Sequence, residues 1–125
     1  MIVRIATTSR PALLVLRGTV PAPVDAVADV LFDTGPGGRS PVRAGEPGVT
    51  VTADPAARML AVQGGWWYRA EITLEPDPDG CLVTQRILDV ADRLRWGVRF
   101  VARKPLAQAP AAFEDLLRQL RAACR

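Results

Sequence analysis

The spacing of apolar side chains changes character along this chain, and each change predicts an element. Phe113, Leu116, Leu117 and Leu120 follow the i, i+3, i+4, i+7 spacing of a helix with one buried stripe. A helix is predicted over 106–124, with Pro110 in its first turn, where a missing N–H is harmless. Glu114 and Asp115 then come early and Arg118, Arg121 and Arg125 late, in the sense the helix dipole favours. About 18 residues at 1.5 Å each span roughly 27 Å. A rod of that length, apolar on one side, needs a sheet or a second helix to cover it.

Strands precede it. In 66–75, Trp66, Tyr68, Ala70, Ile72 and Leu74 alternate with Trp67, Arg69, Glu71, Thr73 and Glu75, giving one apolar and one polar face. The PDPDG turn (76–80) leads to a partner strand, CLVTQRILDV (81–90). Pairing Thr73 with Thr84 sets Glu71 opposite Arg86 on the outer face and leaves Cys81, Val83, Gln85, Ile87 and Asp89 inside. Tyr68, Gln85 and Asp89 are then the polar groups on the inner face. Buried polar groups need partners, so these either satisfy one another and the backbone or face a ligand; Asp89, near the strand end, could also reach solvent.

Strands are also expected at 2–7 (or a strand extension) and 12–20, divided by Pro11, and at 49–53 and 58–63, joined by a turn at Asp54-Pro55. Between them, Pro23 opens a helix on which Val24, Val27, Ala28 and Leu31 make the apolar stripe. Asp25, Asp29 and Asp33 form an acidic stripe that reads as a solvated face rather than a cation site, because one short helix offers too few oxygens. In 35–48 eight of fourteen residues are Gly or Pro, so this is loop, expected to be mobile. Residues 92–104 fit two patterns. Leu94, Trp96, Val98, Phe100 and Ala102 alternate as in a strand; as a helix, Leu94, Val98 and Val101 share a stripe, with Asp92 as cap and Pro105 as the break before the last helix.

Composition narrows the chemistry. With 125 residues, 49% apolar, the chain is read as one domain over 1–125 with a single core. No apolar run approaches a membrane span, and Ala12 to Leu16 is too short for a secretory core, so a cytoplasmic protein is expected. No histidine is present, which excludes Ser-His and Cys-His nucleophiles and the common metal sites. Cys81 and Cys124 make neither a disulfide framework nor a zinc site. The net charge of +3 comes from fifteen Arg and one Lys without a phosphate loop or a DNA-reading motif, and no basic run is expected to be interleaved with exposed aromatics, so no nucleic-acid partner is expected.

The order strand, helix, several antiparallel strands, long C-terminal helix is the helix-grip arrangement, an α+β fold whose curved antiparallel sheet wraps around that helix. RGTVPAPVDAVADVLFD (17–33) resembles the opening of the START-like SRPBCC superfamily, which includes birch-pollen-allergen-type proteins and bacterial polyketide cyclase/dehydratase relatives. WYRAEITLEPDPDGCLVTQRI (67–87) is similar to its paired strands, with Gly80-Cys81 in place of the usual Gly-Thr, and AFEDLLRQLRAA (112–123) to its terminal helix. The resemblance implies that 92–104 is helical and that sheet and helix enclose an apolar cavity for a lipid, a polyketide or another hydrophobic molecule. The family's second short helix is replaced here by the 35–48 loop and the chain is short, both of which bear on cavity size. Trp66, Tyr68, Ile72, Val83 and Ile87 are expected to line one wall and Phe113 and Leu117 the other, with Gln85 and Tyr68 orienting a polar group. The expected partner is a hydrophobic small molecule, with no cofactor, no metal and no membrane contact. Two alternatives remain: a cyclase or dehydratase using Asp89 or Tyr68 as acid or base, and a protein-interaction domain working through Arg93 to Arg103 without a cavity.

Overall fold

The computed structural model describes residues 11–125, so the strand expected at 2–7 lies outside the described residues. Strand β1 (Ala12–Val20) runs into helix α1 (Val24–Leu31) through two prolines. Pro23, extended at φ −57°, ψ 147°, is the last residue before α1, which buries Val27, Val30 and Leu31. The acidic stripe faces outward. Asp25 pairs with Arg58 at 3.6 Å, and Asp33 accepts from the Arg39 backbone N–H at 3.1 Å and from its Nε at 3.4 Å. Among the described residues no group of acidic or cysteine side chains has the geometry to hold a metal.

Strands β2 (Val49–Asp54), β3 (Met59–Gly64), β4 (Tyr68–Asp77) and β5 (Gly80–Asp89) follow, each antiparallel to its neighbours. Asp54 Oδ1 accepts from Ala57 N–H at 3.2 Å and so caps the turn between β2 and β3. The curved sheet has the order β1-β5-β4-β3-β2. Thr73 lies opposite Thr84 and Glu71 opposite Arg86, the register expected from alternation. Gly80 closes the β4–β5 turn at φ +128°, where a Cβ would overlap the Val20 carbonyl oxygen, so only glycine fits.

Of residues 92–104, the part from 95 onward is helical: a single 3-10 turn (Arg95–Gly97) leads to the short α2 (Val98–Val101), while 92–94 are irregular and Asp92 does not cap a helix. The strand reading fails because Val98 and Ala102 are buried while Trp96 and Phe100, which a strand would put on the same face, are exposed; of the expected helical stripe only Val98 is buried, with Leu94 and Val101 exposed. The last helix, α3 (Arg103–Ala123), starts earlier than expected and at 21 residues spans about 32 Å. Pro105 therefore sits in its first turn instead of breaking it, and Pro110, expected in the first turn, lies inside on the exposed side. The expected match to the dipole is lost at the N-terminal end, where Arg103 and Lys104 occupy the first turn and no acid does, and kept at the other, where Arg121 lies in the last turn.

The predicted stripe of Phe113, Leu116, Leu117 and Leu120 is buried against α1 and the inner face of the sheet, with Leu60, Ile72 and Val83. Gly18 lets α3 approach β1: a Cβ there would overlap Leu117 Cδ1. Arg121 donates from Nε and Nη2 to the Thr19 carbonyl at 3.1 and 2.8 Å, fixing the last turns of α3 to the same strand. On the outer face Glu71 is 1% exposed. It accepts from Arg69 Nε at 2.8 Å and lies 3.6 Å from Arg86 Nη1, so the expected surface pair is a buried carboxylate between two guanidiniums. Among the described residues no helix is long and apolar enough to cross a membrane.

Candidate functional site

A groove of about 270 Å³ runs between the inner face of the sheet and α3, open to solvent on one side. Alternation places its sheet wall: Val62, Ala70 and Ile87 lie across from one another on β3, β4 and β5, and Ile72 lies opposite Gln85. Val62, Tyr68, Ala70, Ile72 and Gln85 line that wall. Ala112, Leu116 and Gln119, spaced i, i+4, i+7 along α3, line the other, with Asp115 beside them. The short side chains of Ala70 and Ala112 leave the space that larger residues fill elsewhere. The third wall is Pro41 and Val42 from the 35–48 loop. Composition predicts mobility for that loop, yet it is tied to its surroundings by Ser40 N–H on the Asp33 carbonyl (3.1 Å) and Ala44 N–H on the Thr34 carbonyl (3.1 Å), and braced internally by Arg43 Nη1 donating to the Gly38 carbonyl (2.7 Å). Ser40 is buried and Val42 touches the main core.

The groove's polar groups are of two kinds. Asp115 is already occupied, accepting from Gln119 Nε2 at 2.7 Å and pairing with Arg118. The Tyr68 hydroxyl and the Gln85 amide make no side-chain hydrogen bond among the described residues. Burial pushes the Tyr68 phenol above its ordinary value of 10.0, which keeps it a neutral donor. Its ring is held edge-on against Trp67, 5.4 Å between centroids.

Of the residues expected to form the site, Tyr68, Ile72 and Gln85 come together in the groove. Val83, Ile87, Phe113 and Leu117 are almost fully buried in the core beneath it and do not line the groove. Trp66 is elsewhere. The turn Gly65–Trp67, with Gly65 at φ +60°, interrupts the alternation before Tyr68, so Trp66 packs on the cluster around Trp67 and Ala70 without lining the groove. It lies instead beside Gly97. Asp89 keeps its inner-face register but sits past the groove's end, where its Oδ1 accepts from Ala91 N–H at 2.8 Å and it borders a separate depression under α2. Sequence reasoning misses Val62, Ala70, Ala112, Leu116 and Gln119 as site residues. Alternation in 58–63 and the helical spacing in α3 hold their signal, once β3 is known to pair with β4.

Burial pushes both cysteine thiols up, away from the thiolate form a nucleophile needs. Both are free.

The molecule is thus an α+β protein in which a five-stranded curved antiparallel sheet faces a long C-terminal helix across a largely apolar groove. It is similar in fold to the solution structure of Bacillus halodurans protein BH1534, a structural genomics target. The likeness has a TM-score of 0.58 at 14% sequence identity and covers 92% of this chain and 97% of that one. No family model and no curated protein matches the sequence.

Proposed function

We propose that this chain is a helix-grip domain of the START-like SRPBCC kind and that it binds a hydrophobic small molecule, lipid-like or polyketide-like, in the groove between sheet and α3. The observation that carries this reading is a hollow walled by Val62, Ala70, Ile72 and Leu116, into which Tyr68 and Gln85 bring polar groups that no side chain among the described residues satisfies. Apolar walls with a few directing polar groups are what a small-molecule site requires. At about 270 Å³ the groove lies just under the roughly 300–1,000 Å³ of typical ligand pockets, which suits a small guest or one that protrudes.

The cyclase or dehydratase alternative has less behind it. The groove's one lining carboxylate, Asp115, is engaged by Gln119 and Arg118, and Asp89 is outside. Among the described lining residues only Tyr68 is left for proton transfer. Displacement titrations of a fluorescent fatty acid test the binding reading. Tyr68→Phe and Gln85→Leu should each weaken affinity by roughly 2- to 10-fold, the worth of one hydrogen bond, with little change in unfolding midpoint. Ala70→Phe, which fills the hollow, should abolish binding. Unchanged affinity in all three variants would refute the assignment.

A further inference from the structure

The segment joining β5 to α3 has two apolar sides. Inward, Ala91, Val98 and Ala102 are buried in the cluster that holds Trp67 and Ile87. Outward, Leu94, Trp96, Phe100 and Val101 are 59%, 72%, 60% and 47% exposed. Single exposed apolar residues need no explanation, but four within eight residues, two of them aromatic, form a patch that demands a partner. Leu94 adds strain, since φ +53° is a left-handed backbone for a residue with a branched side chain.

Charge identifies the partner. The fifteen residues 93–107 contain only basic and apolar side chains, Gly and Pro, and no acid occurs between Asp92 and Glu114. Arg93, Arg99, Arg103 and Lys104 are all exposed. Arg103 and Lys104 crowd the first turn of α3, the end where the helix dipole disfavours cations, so an anionic surface there would relieve both repulsions. Fifteen residues without a single acid fit a surface of uniform negative charge. Basic side chains around an exposed Trp and Phe match the phosphate layer and the acyl boundary of a bilayer.

We propose that residues 93–104 dock this protein on an anionic lipid bilayer, with Trp96 and Phe100 entering the headgroup boundary and the four exposed cations on lipid phosphates. Groove occupancy is not required. Co-sedimentation with vesicles tests it. The protein should pellet with phosphatidylcholine mixed with phosphatidylglycerol, stay in solution with phosphatidylcholine alone, and be released by salt. Arg99→Glu with Arg103→Glu should lower partitioning well over tenfold, as each cation near the surface is worth about fivefold. Trp96→Ser with Phe100→Ser should abolish the pellet, and a blue shift of tryptophan emission on vesicle binding should vanish in Trp96→Phe. All these side chains are exposed, so unchanged thermal midpoints verify folding, and unchanged fatty-acid titration separates this site from the groove. Wild-type protein left in the supernatant of the mixed vesicles would overturn the proposal, as would equal pelleting by both double variants. A dimer or a complex with an acidic protein that is lost in the Trp96/Phe100 variant, without vesicle binding, would also overturn it in favour of a protein interface.

Discussion

A methyl group added at Gly18 tests where α3 lies. In a strand interior, Gly→Ala by itself stabilises by roughly 0.5–1 kcal/mol through lower entropy of the unfolded chain. Against that, the new Cβ overlaps Leu117 Cδ1. Leu117 is enclosed with Phe113 and Leu120, so its side chain cannot swing aside without moving neighbours. Overpacking of this kind costs about 1–3 kcal/mol. The net expectation for Gly18→Ala is a loss of about 1–2 kcal/mol, a fall in midpoint of roughly 5 °C for a domain of this size. Leu117→Ala alone should lose about 2–5 kcal/mol. In the double variant the methyl added by Gly18→Ala moves into vacated space, so the two losses should fall short of their sum by about 1 kcal/mol or more. Urea and thermal unfolding of the four proteins, followed by circular dichroism, measures all of this. A higher midpoint for Gly18→Ala, or additive losses, would mean that α3 does not cover β1 at this point.

Three further outcomes follow from the same structure. Glu71→Ala should cost about 2–4 kcal/mol in urea unfolding, because it leaves Arg69 and Arg86 facing each other without their shared anion; a loss below that of an ordinary surface substitution would contradict the burial of this carboxylate. The raised pKa of Tyr68 means that the folded chain keeps its proton after the unfolded chain has lost it, so this contribution is whole below pH 10.0 and lost as pH climbs through the raised value. Stability of wild type relative to Tyr68→Phe should therefore decline above pH 10.0, and parallel pH curves would refute it. Asp33 is lowered by the Arg39 backbone N–H first and its side chain second, so its contribution is present above pH 3.8 and lost as pH falls below that; Asp33→Asn should show a flatter acid limb in the same measurement, and identical limbs would count against the Asp33–Arg39 contact.

What could be read from the sequence was set by local periodicity. Strand β4 alternates cleanly and its turn is short, so the Glu71–Arg86 and Thr73–Thr84 register follows from the residues alone. The apolar stripe of α3 is equally local. What could not be read depends on contacts between distant segments. Pro105 reads as a break, yet in a first turn it costs nothing, and only the burial of Val98, Ala102 and Ala109 shows that the helical path begins upstream. The 35–48 loop has the composition of a flexible linker, but Asp33, at the end of α1, takes hydrogen bonds from it and Val42 meets the core. Alternation divides inner from outer residues without distinguishing a floor from a wall. Val83 and Ile87 share a face with Gln85, and the hollow forms instead where Ala70 and Ala112 are small. The tryptophan exposed at position 96 illustrates the same limit: its apolar neighbours suggest burial, and the buried positions are Val98 and Ala102.

Native mass spectrometry of the protein purified from its own host, run beside the Ala70→Phe variant, bears most directly on whether the groove holds a guest. Wild type should carry an added small mass that denaturation releases, or take one up from added fatty acid, and the folded variant should carry none. The same mass on both proteins, or no uptake by wild type at any fatty-acid concentration, would contradict binding between sheet and helix.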